Sequence, residues 1–133
     1  MSIYLETLAN FIAYFAASLA LGAAFLVLYT WITPYREAAL IPAGNRAAAI
    51  SMTGAGLGFV VPLASTIAHS LNLLDMVVWG VVAMVVQLAI YGVARVVVPQ
   101  FAAAISEDRV SVAIVLAGVS LGIGVLNAAC MTF

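Results

Sequence analysis

Long apolar runs alternate with short polar breaks along the chain. No charged residue interrupts the stretch between Glu6 and Arg36, and between Arg46 and Asp75 the only ionisable side chain is His69. A membrane-spanning helix needs about 20 apolar residues at roughly 1.5 Å each. The pattern therefore predicts four spanning helices, over Leu8–Ile32, Ala47–His69, Asp75–Val98 and Val110–Met131. The breaks carry their own signals. Thr33-Pro34 and Val98-Pro99 close the first and third helices, because proline lacks an N–H and disfavours helix in the residue before it. Gly44-Asn45 precedes the second helix, where the Asn amide oxygen can accept a first-turn N–H. Ser106-Glu107-Asp108 precedes the fourth, where carboxylates suit the positive end of the helix dipole.

Composition agrees with lipid as the solvent. Hydrophobic residues make up 67% of the chain and charged residues 7%, against about 25% charged in soluble domains. A net charge of −1 offers no clustered basic face for nucleic acid. One cysteine, Cys130, excludes an intrachain disulfide and a cysteine-rich metal site. The N-terminal segment has no basic residue ahead of its apolar run, so the first helix is expected to be an uncleaved anchor. The expected class is an all-α integral membrane protein, a single transmembrane domain over residues 1–133.

The four basic residues, Arg36, Arg46, Arg95 and Arg109, all lie at or near the first and third loops. The positive-inside rule places those loops in the cytoplasm and both termini outside. Arg95, about one turn before Pro99, is expected to snorkel toward the headgroups.

The two halves read as copies, over about residues 8–69 and 75–131. Ile41-Pro-Ala-Gly-Asn45 aligns with Ile105-Ser-Glu-Asp-Arg109, Ala49-Ile50 with Ala113-Ile114, Gly54 with Gly118, and Leu57-Gly58 with Leu121-Gly122. Each copy holds two spans, so both insert in the same sense, as two parallel-repeat helical hairpins.

Tyr29-Thr-Trp-Ile-Thr-Pro34, Glu37, Ile41-Pro-Ala-Gly-Asn-Arg-Ala-Ala-Ala-Ile50 and Gly54-Ala-Gly-Leu-Gly-Phe59 together resemble the YjfL-like bacterial inner-membrane family, domain of unknown function 350. The resemblance extends to the closing Leu126-Asn-Ala-Ala-Cys-Met-Thr132 and covers essentially the whole chain. It implies a bacterial cytoplasmic-membrane location and, through the genes that neighbour some relatives, a link to envelope stress or membrane remodelling. It implies no particular chemistry.

Gly54 and Gly58, and likewise Gly118 and Gly122, put two positions without side chains one turn apart. Such faces let a neighbouring backbone come close in lipid, either between the second and fourth helices or between subunits. Arg36, Glu37, Asn45 and Arg46 form the densest polar cluster, suited to headgroup phosphate or a partner protein because a guanidinium can bond in two places. Gln87, Ser120 and Asn127 are polar groups within the spans, read as interhelical hydrogen-bonding groups or as a pore lining shared by subunits. No Asp, Glu or Lys falls at mid-depth, which argues against a proton-coupled pump. Pro62 is expected to kink the second helix. His69 is expected to be an interfacial anchor. No metal-ligand spacing, nucleophile–base set or phosphate-cradling loop is visible, so no cofactor, metal or enzymatic activity is expected. The leading expectation is a homo-oligomeric membrane scaffold or assembly partner for a peripheral cytoplasmic membrane-stress protein. An oligomeric channel is the alternative, and a lipid-binding protein opening at the kinked helix is a third reading.

Overall fold

The computed structural model describes residues 2–33, 35–98 and 100–131; the side chain of Arg95 is not among the described groups. The proposed breakers Pro34 and Pro99, the expected snorkelling of Arg95 and the closing Thr132 therefore fall outside the description. Among the described residues there are six helices and no strand: α1 (Ser2–Ile32), α2 (Glu37–Leu40), α3 (Arg46–His69), α4 (Leu73–Val97), α5 (Phe101–Ser106) and α6 (Val110–Cys130). The four long helices, α1, α3, α4 and α6, are each long and apolar enough to cross a membrane. The protein is an all-α integral membrane protein.

The long helices lie close to where the sequence puts them, with two instructive differences. α1 begins at Ser2 rather than Leu8, since nothing before Leu8 breaks a helix and the Thr7 hydroxyl bonds back to the Ile3 carbonyl at 2.8 Å. α4 begins at Leu73 rather than Asp75 because Asn72 is the cap. Its side chain accepts the Asp75 N–H at 2.8 Å, and the Asp75 carboxylate reaches back to the Leu71 N–H at 3.1 Å. This is a reciprocal arrangement of the capping-box kind. The short helices α2 and α5 were not anticipated. Each fills the break after a long helix with a few residues of helix, too short for a periodic pattern to register.

α2 and α5 also end alike. Asn45 N–H bonds to Leu40 C=O and Gly44 N–H to Ile41 C=O. Arg109 N–H bonds to Ala104 C=O and Asp108 N–H to Ile105 C=O, each at 2.9–3.0 Å. This is the paired hydrogen-bond pattern of a Schellman turn. It requires a left-handed residue, supplied by Gly44 at φ 92° and by Asp108 at φ 60°.

α3 is the central helix. It packs along much of its length on α6 and also touches α4 and α1. Its own face explains this. Gly54 lies against Ala117, while Gly58 lies against the Ser120 carbonyl and the Gln87 side chain. Gly124 of α6 in turn rests on the Gly58 backbone, so closely that a Cβ at any of these three glycines would overlap its neighbour. Pro62 is buried inside α3 without ending it. Gly118 and Gly122 have no atom within reach of an added Cβ and stand exposed on α6. The intrachain contact is therefore built from Gly54 and Gly58 with Ala117, Ser120 and Gly124, because α6 turns a different stripe toward α3 than the aligned glycines suggest.

Aromatic packing completes the core. Phe25 stacks on Phe59 with centroids 4.8 Å apart, and Tyr29 meets Tyr91 edge-on at 4.9 Å. Of α1, only Phe25 and Tyr29 are buried. Its first half presents Leu5, Leu8, Phe11, Ile12 and Phe15 outward, as expected for side chains bathed in acyl chains.

Gly58→Ala should destabilise the fold by about 1–3 kcal/mol, the range for forcing extra volume into a packed core. Gly118→Ala should be close to neutral. Denaturant titration of the detergent-solubilised protein checks both.

Candidate functional site: a loop clasp and a buried hydroxyl cluster

The polar groups gather at one end of the bundle, where α1 and α4 finish and α3 and α6 begin. The two loops there are bonded to each other. Asn45 caps α3 by accepting the Ala48 N–H at 2.7 Å, and its amide NH₂ donates across to the carbonyls of Ile105 at 2.9 Å and Ser106 at 3.2 Å. Asp108 answers from the second loop. One carboxylate oxygen accepts the Ala47 N–H at 2.8 Å, and the other pairs with Arg46 Nε at 3.5 Å. Two first-turn N–H groups of α3 are thus satisfied, one from each loop, which offsets the unpaired donors every helix start carries. The Ala47 N–H, with Arg46 adding to it, holds the Asp108 carboxyl below its ordinary range.

Among the four loop residues singled out from sequence, the structure separates three roles. Asn45 and Arg46 join the two loops. Glu37 is 2% exposed and meets the Thr33 hydroxyl. Arg36 is exposed and forms no ion pair among the described residues. Arg109 pairs locally with Glu107 at 3.2 Å.

Behind the clasp lies a cluster of hydroxyls that the sequence reading missed. Ser51 Oγ sits 3.2 Å from Tyr29 OH and 3.3 Å from Tyr35 OH, and the two phenols are 3.4 Å apart. Tyr91 OH lies 2.9 Å from Ser120 Oγ and 3.5 Å from the Ser51 carbonyl. Gln87 continues the series by donating its NH₂ to the Ser120 carbonyl at 3.1 Å. All six residues are buried. They come from α1, the loop after it, α3, α4 and α6, so the cluster ties the described spans together. Burial pushes the Tyr35 phenol up, consistent with a neutral hydrogen-bonding group. The available signal was the presence of Tyr29, Ser51 and Tyr91 within otherwise apolar spans. A buried hydroxyl in lipid needs a partner, and the nearest hydroxyls lie on other helices.

Gln87 and Ser120 thus bond to each other inside the chain's own core, with no exposure. Gln87 Oε1 and Asn127 Nδ2 are buried without a hydrogen-bond partner among the described residues. At the opposite end of α3, His69 Nδ1 lies 2.9 Å from the Ser65 carbonyl, and Ser65 Oγ donates to the Ala128 carbonyl at 3.2 Å. The grooves on the surface are apolar. One of ≈ 520 Å³ between α1 and α3 is floored by Gly22, Ala23, Gly56 and Ala64. Among the described residues no three His, Cys, Asp or Glu come together in a way that could hold a metal.

Residues 2–131 match the family described as Domain of Unknown Function (DUF350). The chain is 34% identical over 129 residues to the UPF0719 inner membrane protein YjfL of Escherichia coli K12, covering 97% of this chain and 98% of the relative. The protein of the same name from E. coli O157:H7 matches to the same extent. No solved structure matches the chain.

The depressed Asp108 carboxyl sets a pH dependence. The stability it contributes should be fully present above the ordinary aspartate value of about 3.9 and be lost as pH falls through its lower folded-state value. Asp108→Asn should remove this acid-limb dependence of the melting temperature, measured across pH in detergent.

Proposed function

The chain belongs to the DUF350 family, and from that premise we propose that it is a non-enzymatic, multi-pass scaffold of the bacterial inner membrane, working as a homo-oligomer. Its partner would be a peripheral cytoplasmic protein of membrane maintenance or stress response. The observation that carries this reading is the clasp. Asn45, Arg46 and Asp108 fix two loops into one platform, and Arg36 projects from it unpaired among the described residues. A rigid platform with a free guanidinium suits a docking surface for acidic side chains or anionic headgroups. The positive-inside rule puts that end in the cytoplasm and both termini outside.

Two further parts of the reading have their own support. Duplication is supported by the repeated long–short–long helix order and by the matching turns that close α2 and α5. Oligomerisation is supported by the small outward face at Gly118 and Gly122, which the intrachain contact with α3 leaves uncovered. A pore is less well supported, since Gln87 and Ser120 are sealed in the core of a single chain.

Arg36→Ala should lower recovery of cytoplasmic partners, or binding to anionic vesicles, at least several-fold while leaving the melting temperature unchanged. Unchanged recovery and unchanged vesicle binding would overturn the docking role. Gly118→Leu with Gly122→Leu should shift the native mass in lipid nanodiscs toward monomer; a wild-type monomer, or ion flux through the wild type in liposomes, would overturn the oligomeric scaffold.

A further inference from the structure

Glu37 opens α2 at the loop end of the bundle and is almost wholly enclosed. Its Oε1 is within hydrogen-bonding distance of Thr33 Oγ1, which lies in turn 3.1 Å from the Tyr29 carbonyl oxygen. A hydroxyl carries one proton, and a carbonyl oxygen can only accept. Thr33 therefore cannot donate a full bond to both neighbours, and sharing the proton weakens each. If its proton goes to the carboxyl group, the Thr33 and Tyr29 oxygens face each other with no proton between them. If it goes to the Tyr29 carbonyl, the proton between Thr33 and Glu37 has to come from Glu37.

Charge favours the second arrangement. The ion pairs among the described residues are Arg46 with Asp108 and Arg109 with Glu107. Neither Arg36 nor Arg46 pairs with Glu37. Among the described side chains none supplies a cation to Glu37, and an enclosed carboxylate left so is expensive and neutralises instead.

We propose that Glu37 is a proton-binding site: a neutral carboxylic acid that donates to the Thr33 hydroxyl, which donates to the Tyr29 carbonyl, so that one bound proton ties α2 to the last turn of α1. Burial acts in the same direction, pushing the Glu37 carboxyl above its usual range. Of the described ionisable side chains, the Tyr35 phenol interacts with it, the Tyr29 phenol is engaged with Ser51, Arg36 beside it in the chain is exposed, and Arg46 at the start of α3 is paired with Asp108. Loss of the proton places an anion where no cation pairs with it among the described side chains. α2, only four residues long, then loses the bond that holds it to the end of α1. The folded state thus holds the proton more tightly than the unfolded chain. The stability it contributes is present below the ordinary glutamate value of about 4.3 and is lost as pH rises through the higher folded-state value.

The test uses the full chain in lipid nanodiscs. Glu6→Gln with Glu107→Gln leaves Glu37 as the sole glutamate without altering the site, so a ¹³C-glutamate label reports it directly. Expected is a protonated carboxyl signal at neutral pH that converts to carboxylate only at higher pH. A carboxylate signal at neutral pH, titrating in the ordinary range, overturns the proposal. Should that double variant fail to fold, the Glu37 signal is isolated by difference between labelled wild type and labelled Glu37→Gln; a carboxylate signal at neutral pH in that difference overturns the proposal. Glu37→Gln, whose amide can donate as the acid does, should keep the neutral-pH melting temperature and lose its decline toward alkaline pH. Retention of that decline in Glu37→Gln counts against the site. Failure here would leave the scaffold reading standing, since the two rest on different residues.

Discussion

The near-contact of the α3 and α6 backbones is the constraint on which the rest of the structure depends. Lipid removes the hydrophobic drive that pulls helices together in water, so association must come from packing and hydrogen bonds. Gly54, Gly58 and Gly124 let the two helices approach until main chain meets main chain. That approach brings the Ser120 carbonyl within reach of Gln87 and the Ser120 hydroxyl within reach of Tyr91. Replace the glycines by anything larger and the polar groups behind them lose their partners along with the packing.

The hydroxyl cluster and the clasp divide the remaining work. The cluster joins α1, α3, α4 and α6 through side chains that would otherwise be unpaired inside lipid. The clasp joins the two loops at the interface, where water competes and each bond is individually weaker. The buried cluster therefore fixes which helices are neighbours, while the clasp orients the loops on a bundle already formed.

The spans were legible because lipid imposes a coarse rule: twenty or so apolar residues, bounded by charge or proline. α3 and α6 followed that rule to within a residue or two, and the Asn45 cap was visible as a residue type at a boundary. What escaped was everything set by rotation about a helix axis. Of the two faces the aligned glycines allowed, intrachain or between subunits, Gly118 and Gly122 do not serve the intrachain one: α6 presents Ala117, Ser120 and Gly124 to α3. Where a whole span is apolar, no polar side marks which stripe faces inward. Tyr29, Tyr35, Ser51 and Tyr91 escaped for a related reason: residues scattered along the chain became one cluster only once three helices and a loop were placed. Arg46 and Asn45 were recognised as a polar cluster, but their partners on the other loop lay some sixty residues away.

The two turns that close α2 and α5 share a backbone shape but spend it differently. Gly44 adopts the left-handed conformation without strain and contributes no side chain. Asp108 adopts it against the preference of a residue with a Cβ, and in return its carboxylate reaches the start of α3. One hinge is relaxed and mute; the other is tensed and carries the connection. The halves of the molecule are therefore not exchangeable, however alike they read. A chain with its two loops transposed would bend at both places, yet the carboxylate that ties one loop to the other would stand before the wrong helix.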